Sequence, residues 1–120
     1  MKIEDLSMQI ILYAGNAKAF LHEALHAAKN GQFDEIETKR DQAAEELLKA
    51  HKIQTSFLRE DAVEKLDNLP VLLVHAQDHL MTVMSEKDLM EELILLHRQQ
   101  HETNRKLNRL LETVNAQEQN

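Results

Sequence analysis

Four polar side chains, His75, Gln77, Asp78 and His79, cluster within a largely apolar run between Leu69 and Met84. His75, Asp78, His79 and Thr82 recur at spacings of three, four and seven, which stacks them on one side of a helix. Imidazole or carboxylate set into an apolar face is costly unless it is paired, hydrated or bound to something. Three chemistries satisfy that requirement. His75 could be a core histidine closed by a hydrogen bond, and Asp78 could be a register-setting polar residue in a coiled-coil-like seam. His75 and His79, at i and i+4, could ligate zinc in a metal-dependent hydrolase. The helical metalloprotease pattern, however, needs a Glu after the first His, where this chain has Ala76, and no third ligand is placed. His22 with His26 and His97 with His101 repeat the same spacing and read as solvated surface pairs. His51, beside Gln54-Thr55, reads as a hydrogen-bonding or packing group rather than a reactive one.

The elements that carry these residues are helices. With 120 residues, two Gly, one Pro, 3% aromatics and no Cys, the chain fits one all-α domain with a modest core. Apolar steps of three and four through Ile3, Leu6, Ile10, Tyr13, Ala17, Phe20 and Ala24 predict a first helix from about Ile3 to Lys29. Asn30-Gly31 ends it. A second helix begins near Phe33, carries Ile36, Ala43, Leu47, Ala50 and Phe57, and gives way to a charged connector within Glu60–Asp67. Asp67-Asn68 are cap candidates for a third, with Pro70 in its first turn. That helix runs to about Leu111, although Ser85-Glu86 could open a second piece. Residues 112–120 are polar and read as a frayed tail after a domain spanning 1–111. Two short connections make an antiparallel up-down-up three-helix bundle.

On the third helix Leu73, Leu80 and Met84 share one face, and Val71, Leu89, Leu93 and Leu96 lie roughly opposite. A helix apolar all round is buried on both sides, and two neighbours cannot cover it, so the second face is expected against another subunit. The five methionines read as core filler.

Composition excludes several functions. Without cysteine there is no disulfide, thiolate metal site or cysteine nucleophile. A net charge of −7 argues against a nucleic-acid-binding face. No Gly-rich phosphate loop and no serine elbow is present. The acidic start lacks the pattern of an export signal, and the apolar stretch Leu69 to Val74 is far too short to span a bilayer. A cytoplasmic protein, without membrane insertion, is expected.

Read as a string, Leu72-Leu73-Val74-His75-Ala76-Gln77-Asp78-His79-Leu80-Met81-Thr82 resembles the signature of the lactose/cellobiose-specific enzyme IIA family of the bacterial phosphoenolpyruvate-dependent sugar phosphotransferase system. The resemblance extends through Gly15-Asn16-Ala17-Lys18, Glu23-Ala24, Ala28 to Phe33, Ala50-His51 with Gln54-Thr55, and Glu91 to His97. Glu60-Asp61-Ala62-Val63 departs from the glycine-containing loop usual in the family, and Gln99 to Asn120 extends beyond its usual end.

The resemblance implies a homotrimer of three-helix subunits. It implies that His75 is phosphorylated by the phosphocarrier protein HPr and hands the group to a cysteine of enzyme IIB, which serves the membrane subunit IIC. It implies that Gln77 and His79 flank the active histidine, and that Asp78 at the trimer axis shares a divalent cation, Mg²⁺ by ligand hardness. A neutral imidazole is a competent nucleophile near pH 7, and phosphoryl transfer asks the protein mainly for positioning and charge stabilisation. The sugar stays open among lactose, cellobiose, chitobiose and related β-linked disaccharides. The competing class is a non-catalytic structural or regulatory helical bundle.

Overall fold

The computed structural model describes residues 2–59 and 70–119. They form three helices, α1 (Ile3–Lys29), α2 (Phe33–Arg59) and α3 (Val71–Glu118). Cross-helix contacts fix the topology. Glu23 meets Lys39 at 3.0 Å and Asn16 meets Glu46 at 3.4 Å, so α2 runs against α1. Arg40 meets Glu91 at 3.4 Å, while Gln54 bonds Gln77, so α3 runs against α2. Lys18 lies 3.6 Å from Glu86 and His101 reaches the carbonyl of Lys29, so α3 runs with α1. This is the expected up-down-up bundle.

Small residues let α1 sit between the other two. Ala14, Ala17, Ala24, Ala27 and Ala28 are buried along it, with Ile10 and Leu21 supplying bulk. The helix packs along both α2 and α3, which themselves touch sparsely. Its buried stripe is Ser7, Ile10, Ala14, Ala17, Leu21, Ala24 and Ala28, rotated from the predicted one, so Tyr13 and Phe20 pack only at the rim of the core. Aromatic rings are too large for the seam that the alanines define. From α2 come Ile36, Ala43, Ala50 and Phe57, and from α3 come Leu73, Ala76, Leu80, Val83, Met90 and Ile94.

Three expectations about α3 need correction. Met84 lines a groove between α2 and α3 at 39% exposure, and of the described methionines only Met90 is buried; Met8 and Met81 are exposed. The helix also continues unbroken past Ser85-Glu86 and past Leu111 to Glu118, so the segment expected to fray is helical and fully exposed. Adding residues to an existing helix needs no new nucleus, and nothing from Glu112 to Glu118 is Gly or Pro. Pro70 is the residue just before the helix (φ −63°) rather than part of its first turn. The proposed Asp67-Asn68 cap and the Glu60–Asp67 connector lie outside the described residues.

The α1–α2 turn is built as a Schellman motif. Gly31 takes φ 75°, its N–H bonds the Ala28 carbonyl at 3.2 Å, and the Gln32 N–H bonds that of Ala27 at 2.9 Å. His101 closes over it. Its Nε2 lies 3.2 Å from the Lys29 carbonyl oxygen, its ring stands edge-on to Phe33 at 5.3 Å, and its Cε1 would be 3.3 Å from a Cβ on Gly31. The two glycines should therefore respond in opposite directions. Gly31→Ala forces a left-handed alanine against His101 and should cost about 1–2 kcal/mol. Gly15→Ala places a Cβ in open space within α1 and should gain about 0.5–1 kcal/mol. Urea unfolding monitored by circular dichroism reads both, and two shifts of the same sign would contradict this account of the turn.

Candidate functional site

Pro70 launches α3 with the chain extended, and the buried residues Leu73, Ala76, Leu80 and Val83 then fix its rotation. That rotation decides where the intervening polar residues point. His75 and Asp78 are exposed, Gln77 and His79 are half-buried, and Thr82 is exposed. The rings of His75 and His79 are nearly parallel, 14° between planes and 6.3 Å between centroids. One turn of helix thus sets two imidazoles side by side, close enough for a group carried by one to be reached by the other.

Gln77 departs from its neighbours. It turns toward α2, where the Gln54 amide N–H donates to its Oε1. Its own amide N–H groups have no partner among the described residues. The sequence cluster is therefore split by the fold, with His75, His79 and Asp78 on the open side and Gln77 over the α2–α3 groove.

Within a single chain the cluster lies open, on the face whose cover is expected from another subunit. Around it the open stripe of α3 leaves Val71 at 83%, Leu89 at 65%, Leu93 at 43% and Leu96 at 57% exposure. These are the residues assigned above to the second face, and α1 and α2 leave that face uncovered. Among the described residues, no three His, Asp or Glu side chains within one chain converge on a metal position. Asp78 contributes one hard oxygen donor group, so a shared cation requires further copies.

The remaining histidines sort differently from expectation. His22 and His26 are exposed, as a surface pair should be, with His26 Nε2 2.9 Å from Asn30 Nδ2. His101 is not a free surface residue but the clamp over the α1–α2 turn. His51 is exposed and lines an open groove with Leu47, Leu48, Met81, Met84 and Asp88, rather than bonding to the polar cluster. The Gln54–Gln77 link was not anticipated; its only signal was Gln54 lying on the α2 stripe at heptad distance from Leu47. Other residues of the resemblance hold helices together: Asn16, Lys18, Glu23 and Glu91 each make an inter-helix contact. Half-exposed pairs of this kind add little stability singly.

The chain matches the family described as "PTS system, Lactose/Cellobiose specific IIA subunit" over residues 5–98. It is 43% identical over 96 residues to the lichenan-specific phosphotransferase enzyme IIA component of Bacillus subtilis, covering 80% of this chain and 87% of that one. It is 40% identical to the N,N'-diacetylchitobiose-specific EIIA component of Escherichia coli K12, covering 80% and 83%. Among solved structures it resembles the cellobiose-specific enzyme IIA of Bacillus anthracis, with a TM-score of 0.76, 36% identity, and 84% and 94% coverage. It also resembles the IIA(chitobiose) chain solved in complex with HPr from Escherichia coli, with a TM-score of 0.74, 37% identity, and 84% and 98% coverage.

Gln54 should be energetically tied to Gln77. A double-mutant cycle between Gln54→Ala and Gln77→Ala, read by urea unfolding, should give a coupling of about 0.5–1.5 kcal/mol. Strict additivity would show that the two amides do not hold each other.

Proposed function

This chain belongs to the lactose/cellobiose-specific enzyme IIA family of the sugar phosphotransferase system, and from that premise we propose that it is a cytoplasmic phosphoryl carrier that accepts phosphate on His75 from phospho-HPr. The group then passes to a cysteine of enzyme IIB, for sugar entering through enzyme IIC. The observation that carries the assignment is the placement of His75: an imidazole exposed to a partner, yet borne on a helix whose rotation is locked by four buried residues. The complex of the chitobiose relative with HPr supports that partner.

The chemistry asks little else of the chain. In the loading step a His75 ring nitrogen attacks phosphorus, forming one P–N bond as the bond to the donor breaks, and the donor departs with its electron pair. In the second step a thiolate of enzyme IIB forms a P–S bond and the His75 P–N bond breaks, returning the imidazole to its starting state. His79 is placed to donate to the phosphoryl oxygens as charge shifts onto them. The free amide N–H groups of Gln77 are candidates for the same task, from the groove side or from a neighbouring copy. A rigid helix presents one geometry to two successive partners. No sugar pocket is needed for this role, and the particular disaccharide stays unassigned.

A homotrimer with the open face of α3 at its axis would cover Val71, Leu89, Leu93 and Leu96. It would also bring three Asp78 carboxylates into a small space, where they must bind a cation or take up protons. Three carboxylates and water suit a hard ion such as Mg²⁺, which would supply charge neutralisation and no catalytic step.

Intact-mass measurement after incubation with phosphoenolpyruvate, enzyme I and HPr should show one added phosphoryl group per chain. His75→Ala should abolish it with the helical signal intact, and His79→Ala should slow it about a hundredfold. No mass gain would favour the non-catalytic bundle, and a phosphate mapped to another histidine would refute the role of His75. Asp78→Leu should stay trimeric, melt at least as high as the parent and lose any response to chelator, as buried charges replaced by packed apolar groups often do. Dissociation to monomers, or a parent indifferent to chelator at every pH, would remove Asp78 from the axis.

A further inference from the structure

Beyond His101, α3 leaves the bundle and projects alone, with every residue from Glu102 to Gln119 exposed. At 1.5 Å per residue this is an arm of about 25 Å, consistent with the 83 Å long axis of a body only 20 Å across. An unsupported helix of this length is marginal in water. The arm is nevertheless not polar all round. Leu107, Leu110, Leu111 and Val114 are exposed on it. Three of them extend a strict alternation of four and three along the helix: Leu93, Leu96, Gln100, Thr103, Leu107, Leu110, Val114. A repeat averaging 3.5 residues is the signature of a coiled-coil seam, and polar layers within it, here Gln100 and Thr103, set register.

We infer that residues 99–118 form a clasp, the seam zipping in parallel and in register onto the same segment of two further copies of this chain. The stripe is continuous with Leu89, Leu93 and Leu96, the face assigned above to the trimer axis, so the number of strands rests on that reading. Charge favours an identical partner. Between Glu102 and Glu118 three acidic residues (Glu102, Glu112, Glu118) balance three cationic ones (Arg105, Lys106, Arg109), whereas the whole chain carries −7. None of these six occupies the stripe, so copies laid in register bring no like charges together within it. The bundle-facing side of α3, through Met90 and Ile94, is a separate stripe and is already buried. The family match ends at residue 98, so the clasp is an addition to the carrier domain, placed away from His75.

The full chain without native cysteine allows a direct test. Thr103→Cys and Val114→Cys, made separately, should each form disulfide-linked pairs with themselves under mild oxidation, much faster than Arg105→Cys on the outer side. An antiparallel pairing can bring at most one of the two positions onto itself, so cross-linking at only one of them overturns the proposal. In sedimentation equilibrium, Leu107→Asn with Leu110→Asn should weaken assembly about a hundredfold or more, while Arg105→Gln with Glu112→Gln leaves it unchanged. Seam and outer variants assembling alike would also overturn the clasp. Phosphoryl acceptance is read on the same samples. A parent that takes no phosphate while both cysteines cross-link removes the carrier function and keeps the clasp; a parent that takes phosphate without cross-linking removes the clasp alone.

Discussion

A helix can bury only the side chains that rotate toward a neighbour, and α3 carries apolar residues on two sides. One side, from Leu73 to Ile94, is held against α1 and α2. That packing leaves no freedom of rotation, so it also dictates what faces outward. His75 and Asp78 are exposed because Leu73, Ala76 and Leu80 are not. The site is thus a by-product of core packing in the literal sense: its geometry is set by residues that never touch the reacting group. The alanine seam of α1 makes this possible, since close helix approach fixes α3 more firmly than a seam of flexible side chains would.

Much of this was legible in the sequence because it depends on periodicity and punctuation. The first helix ends where Asn30-Gly31 stops it, and the second and third begin within a residue of Phe33 and Pro70. The Leu72–Thr82 string pointed to the family, and Leu89, Leu93 and Leu96 lie open as an apolar face separate from the core. What escaped was rotation at the level of single residues. Tyr13 and Phe20 satisfy the apolar pattern of α1 as well as Ala14 and Leu21 do, and only the space available between helices chooses the smaller set. Met84 was misplaced for the same reason. The surface reading of His101 fails, and the Gln54–Gln77 link escapes notice, because these partners are far apart in the chain and no local pattern reports such contacts.

A carrier and an enzyme make different demands on a fold. An enzyme encloses its substrate, whereas a carrier must meet two proteins in turn and offer the same atoms to each. Exposure of His75 suits the second demand, and a body made of three long helices suits it too, because nothing near the site has to open. Relatives named for lichenan, lactose and chitobiose are each 40% or more identical to the chain, as expected if sugar choice lies with another component and the handover itself is common.

The uncovered stripe from Val71 to Val114 has a further consequence in mass action. Any species that covers it binds the folded chain and not the unfolded one, and so adds to stability in proportion to the logarithm of its concentration. When the cover is the chain itself, the same molecule is more robust in a crowded preparation than in a dilute one. Newly made chains at low abundance are then the vulnerable population, with leucines in water and little to hold the projecting arm in shape. Abundance itself becomes part of what keeps the carrier folded.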